Sequence, residues 1–283
     1  MSAAYLFSVD LEDVSPPGGD CSRSRVEELT AHYLDFLRRH DSKGTFFVVG
    51  EVARALPELV RRIAGEGHEI GCHSDRHVPL DRLDPSAFGA DLSRNLKALA
   101  SAGVQAVRGY RAPCFSLTEA TRWAYPILKA HGFTYSSSVL PARNPLHGWP
   151  GFGQAPRLVE GTAELPLTLR PWRALPVPMG GGAYFRTLPM PLLAAALRIR
   201  RRRGEEVLGY LHPYDIDTQQ EGIAHPGFSR WSPYNWLMRA NRGAVLARLE
   251  AVVRTGFALR SYGSHAEAQR RRVQEREQAG DGG

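Results

Sequence analysis

The sequence predicts an α/β protein whose parallel sheet closes, or nearly closes, into a barrel. Three observations predict it. Short apolar runs alternate with segments in which apolar residues recur every three to four positions, the order of strands and helices in a parallel sheet. About seven such units follow one another, which argues for a barrel. The length of 283 residues and the 43% of hydrophobic residues suit a single domain of this class with a substantial core.

The elements can be justified in order. AYLFSVDL (4–11) reads as a buried strand, followed by a helix over about 24–40 with apolar residues at helical spacing. TFFVVG (45–50) is the second strand. Pro57 opens a helix, PELVRRIAGEG, whose end at Gly65 and Gly67 suits a C-cap. HEIGCH (68–73) is the third strand, and Asp84-Pro85 forms an N-cap and first-turn pair for a helix reaching about Gly103. VRGYRAP (107–113), the helix TEATRWAYPILKAHG and the strand FTYSSS (133–138) follow. Residues 139–190 are rich in Pro and Gly and read as a long insertion, functional or lid-forming. A helix at about 189–203, a strand VLGYLHPYDI (207–216), a helix at 243–255 and a strand FALRSY close the domain at about 265. The polar residues 266–283 are expected to be a disordered tail.

The net charge of +7 is concentrated in RIRRRRG (198–204) and RRRVQER (270–276). These are two solvated helix faces or a contact with anionic lipid or phosphate. No nucleic-acid motif or interleaved aromatic accompanies them, so nucleic acid is not expected. Cys21, Cys72 and Cys114 are widely spaced with no CxxC pair, which supports neither a disulfide framework nor a thiolate zinc site. Acidic residues within ten positions of Met1 leave no room for a signal peptide, and no stretch is long enough to span a bilayer. The expectation is a cytoplasmic protein, peripheral at the inner face of the membrane if Arg198–Arg203 meets anionic lipid.

The residues where the apolar runs stop carry the chemistry. The first strand ends in Asp10, Glu12 and Asp13, the third in His73 with His77 four residues on, the fourth in Arg111 and Pro113, and the late strand in His212-Pro213. In a barrel these ends share one face. His73 and His77 lie on one side if their segment turns helically. Two imidazoles and a carboxylate make a three-ligand site with room for water and substrate, the pattern of catalytic zinc. Taken singly, each signal is weak: a lone HxxxH is more often structural, Arg111 could be a surface ion pair, and His212 a satisfied core histidine. His68 reads as scaffold, and Cys72 as a small inward-packing residue.

SVDLED, HSDRH, RGYRAP and LHP, in this order and spacing, resemble the motif set of the NodB-type polysaccharide deacetylases (carbohydrate esterases). The likeness is greatest to their exopolysaccharide-locus branch, which pairs a VDxED start with a Gly-rich segment, here GGGAYFR (180–186). The resemblance spans about residues 5–262. It implies a distorted (β/α)7-type barrel that removes acetyl groups from N-acetylated sugars with a divalent metal, zinc first, with Co2+, Ni2+ or Fe2+ as alternatives. It implies Asp10 as base, His73 and His77 as metal ligands, Arg111 as the partner that holds the base ionised, and His212 as general acid. Asp13 is favoured slightly over Glu12 as the metal carboxylate, and both stay open.

One position departs from the pattern. Relatives carry Asp after the tyrosine of a YDSS-like segment, where it orients the acid histidine; here Ser136 follows Tyr135. Either Asp215 or Asp217 takes over, or the acid is weaker, or the substrate differs. A backbone N–H near Tyr110–Ala112 or Phe115 would complete the oxyanion site. Tyr110, Pro113, Phe115, Trp149, Tyr184 and Tyr214, with Phe185, Trp231 and Trp236 beside them, are candidates for a sugar platform. The expected substrate is a polysaccharide, an oligosaccharide or a lipid-linked precursor. A related amidohydrolase or deformylase acting on a non-polymer amide, and a catalytically weak carbohydrate-binding pseudo-deacetylase, are the alternatives.

Overall fold

The computed structural model describes residues 3–12, 23–172, 177–219 and 233–268. Ten strands are present in them: β1 Ala4–Leu6, β2 Ser8–Leu11, β3 Thr45–Val48, β4 Glu69–Cys72, β5 Gly109–Tyr110, β6 Tyr135–Ser136, β7 Arg157–Val159, β8 Thr162–Glu164, β9 Val207–Leu208 and β10 Ala258–Arg260. The helices are α1 Arg23–Arg39, α2 Gly50–Ala55, α3 Pro57–Gly65, α4 Pro85–Ser101, α5 Ala124–Ala130, α6 Gly182–Thr187, α7 Met190–Arg202, α8 Pro233–Arg239 and α9 Val245–Arg254.

The sheet is parallel except for the β7–β8 hairpin, and runs β2-β3-β4-β5-β6-β8-β7. A second group, β10-β1-β9, joins it because β1 and β2 are one chain path. The predicted strand 4–11 is broken at Phe7, where its neighbour changes. Phe7 N donates to Arg260 O (2.9 Å), and Phe7 O accepts from Thr45 N (3.0 Å). β10 therefore flanks the first half and β3 the second. On the other side β9 pairs with β1, and Leu211 bridges to Val9. The ring closes by side chains: Leu208 N donates to Thr168 Oγ1 (2.9 Å), and Tyr5 OH to Gly180 O (2.5 Å). This is an α/β distorted barrel, the fold class the sequence predicts.

Interior and exterior follow strand alternation. Phe7, Val9, Phe46, Val48 and Ile70 belong to the main core with the apolar faces of α1, α2, α3, α7 and α9. A second cluster under α4 and α5 holds Cys72, Phe88, Tyr110, Tyr125 and Trp149.

Several boundaries differ from the sequence reading. The strand at 107–113 shrinks to Gly109–Tyr110 and that at 207–216 to Val207–Leu208, because both give way to 3-10 turns, Pro113–Phe115 and Pro213–Ile216. Helix α2 was not expected. Its N–H groups at Gly50 and Glu51 bond to Ser74 O and Asp75 O (3.0 Å each), so tertiary contacts shape it. The region 139–190 is not loop throughout: β7 and β8 extend the sheet, and α6 packs on the barrel. Residues 262–268 are helical with Ala266 buried, so the expected tail does not begin at 266; 269–283 lie outside the described residues. Among the described helices none is long and apolar enough to cross a membrane.

Candidate active site

The strand ends converge at one mouth of the barrel. β2 delivers Asp10, and two residues on, Glu12 points to the same side. Asp10 Oδ2 lies 4.0 Å from His73 Nε2 and 3.8 Å from His212 Nε2. Glu12 Oε2 lies 2.6 Å from His77 Nε2, and Oε1 3.7 Å from His212 Nε2. Ligand atoms of Glu12, His73 and His77 all fall within 4.8 Å of one another. Asp13 lies outside the described residues.

The loop from His73 to His77 is not the helical turn expected from HxxxH. His73 follows β4, and the chain then reverses through Ser74 (φ 67°) and His77 (φ 54°), both left-handed, to set the two rings edge to face at 4.9 Å. Such backbone costs about 1 kcal/mol or more per residue and persists only where the surroundings over-determine it. Here they do. Asn95 Nδ2 donates to Ser74 O (2.6 Å) and Val48 O (2.9 Å), and Asp91 Oδ2 accepts from Asp75 N (3.0 Å). Asp75 is buried between Arg54 (2.7 Å) and Arg94 (3.1 Å). These supports were missed from sequence, although a carboxylate and an amide four apart on the apolar face of α4 are a readable signal.

The donor set fits a divalent cation. His73 Nδ1 lies 2.8 Å from Arg111 O, a contact that requires the proton on Nδ1 and leaves the Nε2 lone pair facing Glu12 and His77. Burial pushes His73 down to about 4, so the ring is neutral, the form a metal needs. Burial alone would raise Glu12, but His77, His212 and His73 together hold its carboxylate well below the usual range. Two imidazole nitrogens and a carboxylate oxygen with an open side suit zinc and its borderline neighbours.

Arg111 is fully buried and pairs with Asp10 Oδ1 at 2.6 Å. It also donates to Ser8 Oγ (2.7 Å), Ser137 O (3.1 Å) and Ser137 Oγ (3.3 Å), and its guanidinium carbon lies over the Phe47 ring at 4.1 Å. It is no surface ion pair. His212 is not a plain core histidine either: its Nδ1 lies 2.9 Å from Asp215 Oδ2, and Tyr214 stacks on its face at 4.5 Å. Burial would lower its pKa, but Asp215, Glu12 and Asp10 push it up to about 9, so it carries a proton at neutral pH. Of the two carboxylates expected to substitute for an aspartate at Ser136, Asp215 is the one that contacts the His212 ring. Asp217 is committed to Arg25, and Ser136 to Ser138 Oγ (2.7 Å).

The aromatic candidates separate. Tyr214 and Phe115 sit at the site, Phe115 against Tyr210 and near Arg111. Tyr110 is buried against Phe88 and Phe133, because strand alternation turns it away from the side of Arg111. Trp149 is buried on Phe152, and Phe185 is core. These three are corrected from platform to packing. Pro113 is buried at the turn, and Tyr184 lines a separate surface cavity with Arg170 and Pro189. Trp236 is exposed, and Trp231 lies outside the described residues. The N–H groups of Arg111, Ala112 and Phe115 donate to Cys72 O, Ser138 Oγ and Ala112 O, which leaves none of these three free for an oxyanion. Cys72 is buried as expected; Cys21 lies outside the described residues.

Residues 16–136 match the family model described as polysaccharide deacetylase, and 137–257 match a domain of unknown function, DUF3473. The junction falls directly after β6, so both segments contribute strands to one barrel; His212 lies in the second, and β1 and β2 with Asp10 and Glu12 precede both. A chitooligosaccharide deacetylase of Bradyrhizobium sp. is 39% identical over 85 residues, 30% of this chain and 39% of that protein. A peptidoglycan-N-acetylglucosamine deacetylase of Bacillus cereus is 34% identical over 98 residues, 34% of this chain and 36% of that protein. The matched segments thus span under two fifths of these relatives. Among solved structures, a polysaccharide deacetylase from Mycobacterium smegmatis superposes over 96% of this chain and 91% of its own, with TM-score 0.63 and 22% identity. A CE4 family pseudoenzyme from Bacillus anthracis covers 93% of this chain and 66% of its own, with TM-score 0.53 and 13% identity. The ordered strand-end residues and these matches agree that residues 16–136 form a polysaccharide deacetylase domain of the NodB type, followed by the DUF3473 segment 137–257.

Proposed function

We propose that the protein hydrolyses the acetamide of an N-acetylated sugar, in a polysaccharide, an oligosaccharide or a lipid-linked precursor. The observation that carries this reading is the meeting of two carboxylates and three imidazoles at one barrel mouth: Glu12 with His77 at 2.6 Å, and Asp10 within 4.0 Å of both His73 and His212.

Glu12, His73 and His77 would hold the divalent cation, zinc first. When bound, the cation supplies a Lewis acid for the acetyl carbonyl and lowers the pKa of the attacking water. Asp10 is the general base: its Oδ2 faces the site while Oδ1 is fixed by Arg111. It takes a proton from water as the water oxygen attacks the acetyl carbon. His212, charged and open at Nε2, gives its proton to the sugar nitrogen as the C–N bond breaks, and acetate and free amine leave. Asp215 accepts the Nδ1–H throughout and keeps Nε2 directed at Asp10 and Glu12. Tyr214 beside His212 and Phe115 beside Arg111 would offer ring surfaces to a sugar.

The exposed arginines at 198 and 201–203 carry no feature that separates an anionic surface from water, and Arg200 is turned in to Glu205 (2.7 Å) and Leu169 O (2.6 Å). The reading stands without membrane contact. The test is acetate release from N-acetylglucosamine oligomers by zinc-loaded protein, beside N-formyl and small-amide substrates. Release from the sugar alone supports the proposal. Preference for the formyl or small amide moves the protein to another amidohydrolase class, and a chain that binds oligomer without zinc or turnover is a carbohydrate-binding relative.

A further inference from the structure

The GGGAYFR segment has no part in the steps above, yet it lies directly behind the acid histidine. A Cβ on Gly180 or Gly181 would fall on the carbonyl oxygens of Leu208 and Tyr210, so only glycine lets this backbone rest on the strand that leads to His212. Gly182 N donates to Tyr210 O (3.0 Å), which starts α6 at that contact. One turn later the helix delivers Arg186. Its side chain is fully buried, and its Nε lies 3.0 Å from Asp215 Oδ1, an ion pair whose angle falls short of a hydrogen bond.

Arg186 is itself held in place. Its Nη1 donates to Ala240 O (3.1 Å), and its carbonyl accepts from Asn241 Nδ2 (2.9 Å). Buried Arg248 donates to Phe185 O (2.9 Å) and Leu188 O (2.7 Å), which fastens the end of α6 to α9. A fully buried guanidinium with this much support is costly unless it has a charged partner, and Asp215 is the carboxylate beside it. Asp215 in turn has two oxygens: Oδ2 for the backbone N–H and ring Nδ1 of His212 (2.9 Å each), Oδ1 for Arg186.

We propose that Arg186 is a positioning residue that acts through Asp215 to fix the His212 imidazole, and that the glycine run exists to seat it. This rests on the reading of His212 as proton donor. The carboxylate sits in the tight turn that follows His212 and has no neighbouring strand to brace it, unlike an aspartate at 136 would have. A cation on its far oxygen replaces that brace.

The test uses the full chain with Arg186→Met and Arg186→Lys, and Arg186→Gln in case the methionine variant does not fold. Arg186→Met should lower kcat on N-acetylglucosamine oligomers roughly 10–100-fold with KM and zinc affinity unchanged, as a lost supporting contact does. Arg186→Lys should recover most of the loss. In the Asp215→Asn background Arg186→Met should cost nothing further, whereas independent, additive losses would overturn the proposal. A second readout needs no turnover. The hydrogen-bonded Nδ1–H resonance of His212, assigned with His212→Gln, should move upfield in Arg186→Met or Arg186→Gln and return partway in Arg186→Lys. An unmoved resonance would refute the positioning role. A wild type that releases no acetate sinks the deacetylase reading instead and leaves the resonance to decide this one.

Discussion

At the scale of single residues, the site rests on one buried ion pair. Asp10 and Arg111 are both almost wholly removed from water and meet at 2.6 Å. Breaking such a pair from one side strands a charge in a low-dielectric interior, which costs more than the pair contributes net. Asp10→Asn should therefore fail twice: kcat falls roughly 10²–10⁴-fold, and urea unfolding shows a loss of about 3 kcal/mol. A variant that is inactive but fully stable would argue that Arg111 finds its main partner elsewhere. The metal carboxylate is a second residue-scale question. Glu12 is the acid that the described residues bring to both candidate ligand histidines, so Glu12→Gln should weaken zinc binding by more than roughly 100-fold, beyond the range of outer-shell losses. Asp13→Asn should leave zinc affinity within a few-fold. The reverse ranking in a zinc titration would return the role to Asp13.

At the scale of elements, α4 shows what the sequence makes legible. Its start could be read directly, since Asp84 precedes Pro85 and its Oδ1 accepts from Ala87 N (2.8 Å). Its second task, holding the His73–His77 loop through Asp91 and Asn95, depends on which loop lies beside it, and that is a tertiary fact. The two tasks come apart by mutation. Asp84→Ala removes a cap and should lower stability by about 1 kcal/mol with zinc affinity unchanged. Asn95→Ala removes the side-chain donor to the carbonyls of Val48 and left-handed Ser74, leaving Ser74 O only its bond from Gly50 N, and should weaken zinc roughly 10-fold at a similar stability cost. Equal zinc affinities in denaturation-matched samples would remove Asn95 from the site's support. The same distinction explains the other differences. Long apolar runs announced β1 to β4, whereas β5, β6 and β9 shorten where the chain must turn toward the mouth. The hairpin β7–β8 was hidden because Arg157–Val159 and Thr162–Glu164 are too short to show alternation amid Pro and Gly. His73, His77, Arg111 and His212 were legible because a barrel collects its strand ends on one face; Arg186 was not, since nothing in GGGAYFR says which carboxylate lies behind it.

At the scale of the whole molecule, the three candidate ligands couple the metal to the fold. Glu12 follows β2, His73 and His77 follow β4, and β3 stands between, so the ligand atoms share a 4.8 Å cluster only when the parallel register is in place. An unfolded chain offers the cation no such cluster. Zinc at about 100 times its dissociation constant should then stabilise the native state by about 2.7 kcal/mol. For a domain of this size that is a rise in Tm of roughly 5–10 °C, reversed by a chelator. The chain carries 10 histidines in all, and binding to the unfolded state would shrink the shift without marking any site. His73→Gln is the control for that, because it removes one ligand from the cluster while leaving the other nine. The zinc-dependent rise should vanish in this variant and survive in His68→Gln, whose ring accepts from Gly44 N (3.2 Å) away from the mouth. An equal rise in both would assign the stabilisation to scattered histidines and leave the cluster without a metal.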